Sequence, residues 1–506
     1  MISAVNSFSD GEIQRNLKKI TIDGYTSKVM VILSTGPFLV AFALLLGANN
    51  FTIGLIAAIP PLVQIIQIPS IQLVERIRKR RVITVISLTL YRICIFSMAL
   101  IPFIYSIEFG LIFLIIFLIA QSVFASIGHT AWASWMHDTI PLNQLGAFYS
   151  KRLMLSTIVA LLTSLLAAIF IDYWAPSNLK SQIFGYSILF IIAFIFGMVS
   201  IYFISRVSEP RMIGPEFRMK FSKMIIEPFK DKNYRNILLF LGVWSFAINL
   251  AAPFFTVYMI KKLQFSITLI ILFTIISQIT TVLFLRIWGR LIDKFSNKSV
   301  LNVCCPLLIL CIFTWTFIDL PSFYIIIIPL LIIIHIFMGI SMAGIILATQ
   351  NISLKLAPKG RGNSYLAVTT VVSSLSLGIA PIIGGIFADY FESSELTWTL
   401  KFTAPNGNLS LQTLNLQGFD FYFIFAFLIG LISLFRLVKI NEGGDVKRRM
   451  IIYELFTIMK NSMRNLSTIG GIDRIFPPYS SVIYRPKRNK FRFKNRRLKN
   501  IKKNDL

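Results

Sequence analysis

The chain reads as an all-α polytopic membrane protein with twelve transmembrane helices in two pseudo-symmetric six-helix bundles, and three observations lead there. The first is composition: of 506 residues, 56% are hydrophobic and only 14% charged, 45 are Phe, and the mean hydropathy is +0.73. A water-soluble chain of this length could not cover so much apolar surface, so its solvent is lipid. The second is a series of twelve apolar runs, each near the ~20 residues that ~30 Å of hydrocarbon requires. The third is repetition. AAIFIDY, Ala167 to Tyr173, returns as GGIFADY, Gly384 to Tyr390; Pro141, Gly146 and Tyr149 return as Pro358, Gly362 and Tyr365; and Pro37-Phe38 returns as Pro253-Phe254. These landmarks move by about 217 residues in unchanged order, as an internally duplicated transporter requires.

Taken in order, residues 1–28 are polar and mixed in charge, without the apolar core and small-residue cleavage site of a secretory signal; they are expected to be a retained cytoplasmic segment. Spans 1 to 6 are expected at about 29–48, 52–74, 82–104, 109–131, 153–171 and 182–204, making a first bundle over 29–204. A basic linker, 205–236, spaces Phe217, Phe221, Met224 and Ile225 as one helical face between cations, which suits a helix lying on the membrane surface. Spans 7 to 12 follow at about 237–260, 265–288, 299–318, 323–347, 363–388 and 421–438, a second bundle over 237–438. Pro60-Pro61, Pro69, Pro253 and Pro381 mark bends that neighbouring helices can satisfy. The long connection Asp389 to Asp420, with Pro405-Asn406-Gly407 at its centre, reads as a turn or short hairpin.

Orientation follows from Lys and Arg in alternate loops. About 22 cations fall in one set and only Lys180, Lys261, Lys262 and Lys401 in the other, which predicts that both termini are cytoplasmic. The tail, 439–506, adds about 18 more and accounts with the loops for most of the +28 net charge. Ile452, Leu455, Phe456, Met459 and Met463 form an apolar stripe that suits an interfacial helix, and the cations after it suit anionic lipid headgroups. No groove-reading or stacking module surrounds them, so nucleic acid is not an expected partner. Cys94, Cys304, Cys305 and Cys311 lie in apolar runs with neither metal-site nor disulfide-framework spacing and are read as core; no metal or cofactor is expected.

The stretch that carries most information is GRLIDKFSNK, Gly289 to Lys298, a basic turn between spans 8 and 9, with an echo in LVERIRKRR, Leu73 to Arg81, between spans 2 and 3. In each, a leucine stands two residues before a carboxylate (Leu73 and Glu75, Leu291 and Asp293) and a cation follows at once (Arg76, Lys294); the carboxylates are 218 positions apart. With twelve spans in two homologous halves, these turns resemble the major facilitator superfamily of secondary transporters over about residues 20–440. The family's turn runs glycine, any residue, leucine, any residue, aspartate, cation, any residue, glycine and two cations. The second copy keeps Gly289, Leu291, Asp293, Lys294 and Lys298 but has Ser296 and Asn297 at the second glycine and one cation; the first replaces aspartate by Glu75 and has Ile71 and Arg78 where glycines are usual.

A carboxylate at the inner end of span 2 can face the positive N-terminal end of span 11, near Asn363, and Asp293 can face the start of span 5, near Arg152. Such contacts would close an inner gate, and the resemblance implies that they break when the halves rock apart. It also implies a pseudo-twofold axis along the membrane normal, with spans 1, 4, 7 and 10 around a central cavity. Polar residues deep in those spans, Thr35, Gln121, Asn249 and His335, with Gln64 and Gln278 in spans 2 and 8, are therefore the candidate substrate ligands, suited to a neutral or singly charged small solute. If transport is proton-coupled, His335 is the expected carrier, with Asp23 the alternative. Arg92, deep in span 3, is expected to pair with a neighbouring helix, and WASWMHD, Trp132 to Asp138, to anchor at the interface with Asp138 near Lys151 or Arg152.

The expected function is thus alternating-access transport of a small solute across the plasma membrane by a monomer, with a receptor or scaffold as the alternative. A membrane enzyme fits less well. Glu108, Asp172, Asp319, Asp389, Glu392, Glu395 and Asp420 are scattered over several outer loops without a histidine, unlike a paired acid–base or metal set.

Overall fold

Among the residues described by the computed structural model (10–104, 107–141, 145–176, 178–212, 221–318, 324–358, 362–404, 407–446 and 448–466), twelve helices are long and apolar enough to cross a membrane. Span 1 is Asp10–Ser34 with Pro37–Leu45, and span 2 is Asn50–Val63, a 3-10 turn at Gln64–Ile66, and Gln67–Ile77. Spans 3 to 6 are Arg80–Ile104, Ile107–Thr139, Leu145–Trp174 and Leu179–Ile204. Spans 7 to 12 are Lys232–Lys261, Ile267–Lys294, Asn297–Trp315, Tyr324–Leu356, Gly362–Phe391 and Phe419–Val438. These elements form one compact unit through Arg448; the tail from Arg449 is a second unit, whose described residues, 449–466, are in the helix Arg448–Leu466. The cation-rich run Arg485 to Lys503 and Phe217 of the linker lie outside the described residues.

The breaks fall where backbone chemistry demands them. Gly36 takes φ 62°, a left-handed conformation open mainly to glycine, and Pro37 then starts the second segment of span 1 at a position where its missing N–H costs nothing. In span 2, Pro60 and Pro61 cannot donate to the helix ladder, and the chain tightens into the 3-10 turn three residues later. Span 1 begins at Asp10, well before the first apolar run, so residues 10–28 are its extension. Their polar groups are held by the end of span 6: Lys19 Nζ donates to Arg206 O at 2.7 Å, and the buried Asn16 carboxamide accepts from Ser208 N at 3.4 Å. Phe221–Lys230 of the linker forms a helix beside spans 7 and 11.

Each bundle is clasped at the end that carries the basic loops. Glu209, after span 6, accepts from Arg80 N at 2.7 Å at the start of span 3, and the buried Arg80 guanidinium reaches Asp138 at 2.5 Å. In the second half Glu442, after span 12, accepts from Lys298 N at 2.8 Å and from Asn297 Nδ2 at 2.7 Å, and pairs with Lys355 at 2.8 Å. Asp138 therefore pairs with Arg80, where Lys151 or Arg152 was expected, because the start of span 3 lies beside it. Trp135 is fully buried, donating to Ser208 O at 3.2 Å, so that part of the WASWMHD stretch is core rather than an interfacial anchor. The four cysteines are buried free thiols.

At the opposite end, Glu395–Ala404 (β1) and Gly407–Gln417 (β2) pair antiparallel into a hairpin between spans 11 and 12, with a bulge at Trp398/Thr399. This is the expected excursion of the long connection; its central Pro405 and Asn406 lie outside the described residues.

Candidate functional site

A cavity of about 600 Å³ lies between spans 7, 10 and 11 and the 3-10 turn of span 2. Leu241, Trp244 and Ser245 line it from span 7, Thr349, Gln350 and Ser353 from span 10, and Thr369, Thr370, Ser373 and Ser374 from span 11. Gln64 closes it from span 2, its Oε1 accepting from Ser374 Oγ at 3.2 Å. Among the described residues, no lining residue is charged. The hydroxyls recur at helical spacing, Thr349 with Ser353, Thr369 with Ser373 and Thr370 with Ser374, so each pair lies on one face. Several donate to their own helix: Thr349 to Ile345 O, Ser353 to Thr349 O, Thr369 to Tyr365 O and Thr370 to Leu366 O, at 2.7 to 3.0 Å. With each proton turned to the backbone, the hydroxyl oxygen keeps lone pairs for a ligand's donors.

Of the six expected ligands, the structure brings only Gln64 to this cavity. Asn249 stands one turn above it, Nδ2 donating to Ser245 O at 2.8 Å. Thr35 donates to Val31 O at the break in span 1; Gln121 is buried in span 4, its Oε1 without a hydrogen-bond partner among the described residues; Gln278 is exposed on span 8. His335 is 7% exposed, stacked on Phe273 at 5.2 Å between centroids and edge-on to Trp315 at 5.8 Å, with Nδ1 2.8 Å from Leu331 O. It belongs to the aromatic packing of spans 8, 9 and 10, which its amphipathic ring suits.

Asp23 sits instead in a buried polar network of the first bundle. Its Oδ1 accepts from Ser200 Oγ at 2.7 Å and from Ser27 Oγ at 3.4 Å, and its Oδ2 is 3.5 Å from Arg152 Nη2. Arg92 completes the network as expected, donating to Ser200 Oγ at 3.0 Å and Gly197 O at 2.8 Å on span 6 and to Leu88 O at 2.6 Å on its own helix. Four spans thus meet on one buried carboxylate and two guanidinium groups.

The signature turns are placed unequally. Asp293 is exposed and Glu75 half-buried, and among the described residues neither has a hydrogen bond or ion pair. Arg76 is exposed, Gly289 has open space around it, and Lys294 Nζ lies 5.3 Å from the Phe295 ring centroid. Lys298 donates to Ile440 O at 2.6 Å and pairs with Asp445 at 3.0 Å. The departures from the family pattern have work in the clasp: Ser296 caps span 9 and bonds Asp445 Oδ1 at 2.9 Å, while Asn297 bonds Glu442.

The bundles meet at the hairpin end. Span 11 packs along Asn50–Val63 and the 3-10 turn, whereas Gln67–Ile77 turns to span 4. A Cβ on Gly385 would stand 2.6 Å from Asn50 O and 2.7 Å from Phe51 Cα, and one on Gly54 would press on the Pro381 carbonyl. At the helix ends, Asp389 accepts from Asn50 N at 3.0 Å and Phe51 N at 2.9 Å, and Asp172 from Ile267 N at 2.9 Å and Thr268 N at 2.8 Å. Sequence reasoning used both aspartates as repeat landmarks and missed their contacts.

The family model described as Major Facilitator Superfamily matches residues 25–381 and 250–450. The chain belongs to that superfamily. No curated protein is similar enough in sequence to register as a match. Among solved structures, the superfamily fold is shared with the nucleoside transporter NupG at TM-score 0.61 and 12% identity, covering 85% of this chain and 98% of that one. A D-xylose-proton symporter gives 0.59 and 14%, covering 86% and 99%. A bacterial homolog to the human lysosomal transporter Spinster, in an inward-facing and unoccupied conformation, gives 0.53 and 13%, covering 90% and 99%. This superfamily member is accordingly a multi-pass membrane protein and a secondary transporter.

Proposed function

We propose that the solute is small, uncharged and rich in hydrogen-bond donors, and that it binds in the cavity between spans 7, 10 and 11. The observation that carries this is the lining: six Ser and Thr residues from spans 10 and 11, with Ser245, Gln64 and Gln350, and no charged side chain among the described residues. A multiply charged solute would lose its hydration there without a counter-ion, whereas hydroxyl or N–H donors would find oxygen acceptors, with Trp244 as an apolar platform. Nucleosides and D-xylose, named for two transporters of the same fold, have this chemistry.

The basic loops support an orientation with the clasped end toward the cytoplasm of a plasma membrane, and the bundle contacts at the hairpin end then support a state closed on the outer side; we take the protein to act as a monomer. If a proton is coupled, Asp23, in the one network that joins spans 1, 3, 5 and 6, supports that role better than His335. Counterflow in proteoliposomes, with a panel of pentoses, nucleosides, amino acids and dicarboxylates, tests the solute class. A neutral polyhydroxylated solute is expected to exchange, and Gln350→Leu to raise its KM about tenfold through the loss of one hydrogen-bonding group from the cavity lining. Exchange of a dicarboxylate alone, or an unchanged KM in the variant, would refute the assignment.

A further inference from the structure

The repeated heptads AAIFIDY and GGIFADY each end span 5 or span 11 with a carboxylate, and each carboxylate is bound across the bundle interface in the same way. Asp389 takes the N–H groups of Asn50 and Phe51, the first two residues of span 2, one on each oxygen; Asp172 takes those of Ile267 and Thr268, the first two of span 8. In both cases the receiving helix has its own cap, Asn49 or Ser266, which accepts the third N–H, from Thr52 or Leu269. Asn49 and Ser266 stand 217 positions apart, as do Asp172 and Asp389, so donors and acceptors are duplicated together. At the basic end the same helix pairs carry the relation reversed. Glu75 closes span 2, the partner of span 11, and Asp293 lies in the last turn of span 8, the partner of span 5; neither is engaged among the described residues.

We infer that Asp172 and Asp389 are the gating residues of the hairpin end, and that with Glu75 and Asp293 they form a reciprocal set. Each antiparallel pair, 2 with 11 and 5 with 8, is capped across the interface at one end at a time. A carboxylate at a helix N-terminus is held by unsatisfied N–H groups and by the helix dipole, and water replaces it when the end opens. Rocking of one bundle against the other converts loss of the cap at one end into approach at the other, which keeps both ends from opening together. The inference rests on alternating access and not on the identity of the solute.

The test uses the full chain in lipid nanodiscs, the four native cysteines replaced by alanine and spin labels placed at the exposed positions Leu179→Cys and Ser393→Cys, one in each bundle at the hairpin end. Asp172→Ala and Asp389→Ala are each expected to raise the open-to-closed ratio at that end roughly tenfold, and the double variant roughly a hundredfold, for loss of two charge-assisted bonds per site. Glu75→Gln and Asp293→Asn are expected to move it the other way. If an alanine variant does not fold, Asp172→Asn and Asp389→Asn, which keep the volume and one acceptor oxygen, are expected to give a smaller shift of the same sign. Folded variants with wild-type distances, or four substitutions that all shift the distances in one direction, would overturn the proposal; no solute is added, so failure of the solute assignment is read separately.

Discussion

Gly385→Ala tests the close approach of spans 2 and 11 in energetic terms. The new methyl group would meet Asn50 O at 2.6 Å and Phe51 Cα at 2.7 Å, both backbone atoms that cannot rotate away. Relief requires the helices to separate, and overpacking of this kind costs about 1–3 kcal/mol. Because the contact joins the two bundles, the cost falls on the state closed at the hairpin end and is absent when that end opens. At 1.36 kcal/mol per decade, the closed-to-open ratio should fall by roughly 5- to 150-fold. The internal control is Gly430, whose added Cβ would meet Ile309 side-chain atoms at 2.9 and 3.1 Å within the second bundle. Gly430→Ala should lower the melting temperature and leave the ratio alone. Spin-label distances across the hairpin end measure the ratio, and thermal unfolding in detergent measures the stability. A folded Gly385→Ala protein with wild-type distances would show that this contact does not set the closed state, and the reasoning would fail.

Asp293→Asn is expected to slow counterflow several-fold while expression stays within about twofold of wild type, since Asp293 is exposed and packs against nothing that stability needs; a fall in expression matching the fall in flux would reverse that reading. His335→Gln should leave the pH dependence of transport unchanged and destabilise the protein by about 1–2 kcal/mol through loss of stacking on Phe273 and of the edge contact with Trp315, as thermal unfolding would register. Arg92→Met removes a buried guanidinium from the Asp23 network and should cost about 3–5 kcal/mol, visible as loss of folded protein, with partial recovery in Arg92→Met/Asp23→Asn. Recovery by the second change that is no better than the single variant would argue against electrostatic coupling between the two.

The twelve spans and the duplication were legible because hydropathy and a fixed offset do not depend on tertiary contacts. The extension of the first helix over residues 10–28 is not legible in hydropathy, which Asn16, Lys19 and Asp23 depress; Asn16 and Asp23 are buried, compensated by partners about 180 residues away that no local window includes. His335 is not in the lining of this cavity for the converse reason: depth in a span says how far a residue lies from the membrane surface and not which neighbour its helix face meets. The lining of the cavity was readable in part. Thr369, Thr370, Ser373 and Ser374 repeat at four residues on one span, a pattern stronger than one polar group per helix, and Gln64 lay beside the visible Pro60-Pro61 break. Asp172 and Asp389 were seen as identical letters at a fixed offset; that Asn49 and Ser266 share the offset is the signal that would have turned the letters into a contact.

The hairpin of β1 and β2 has a practical meaning beyond its place in the fold. Two bundles of six spans each are hard to tell apart by their helices alone. The hairpin breaks that likeness, because the first bundle closes its matching position with only the few residues between Trp174 and Leu179. Its paired backbone projects Trp398, 66% exposed, on the side away from the basic loops. An antibody fragment raised against it would mark one bundle at the hairpin end, giving image alignment a feature that the helices alone do not supply.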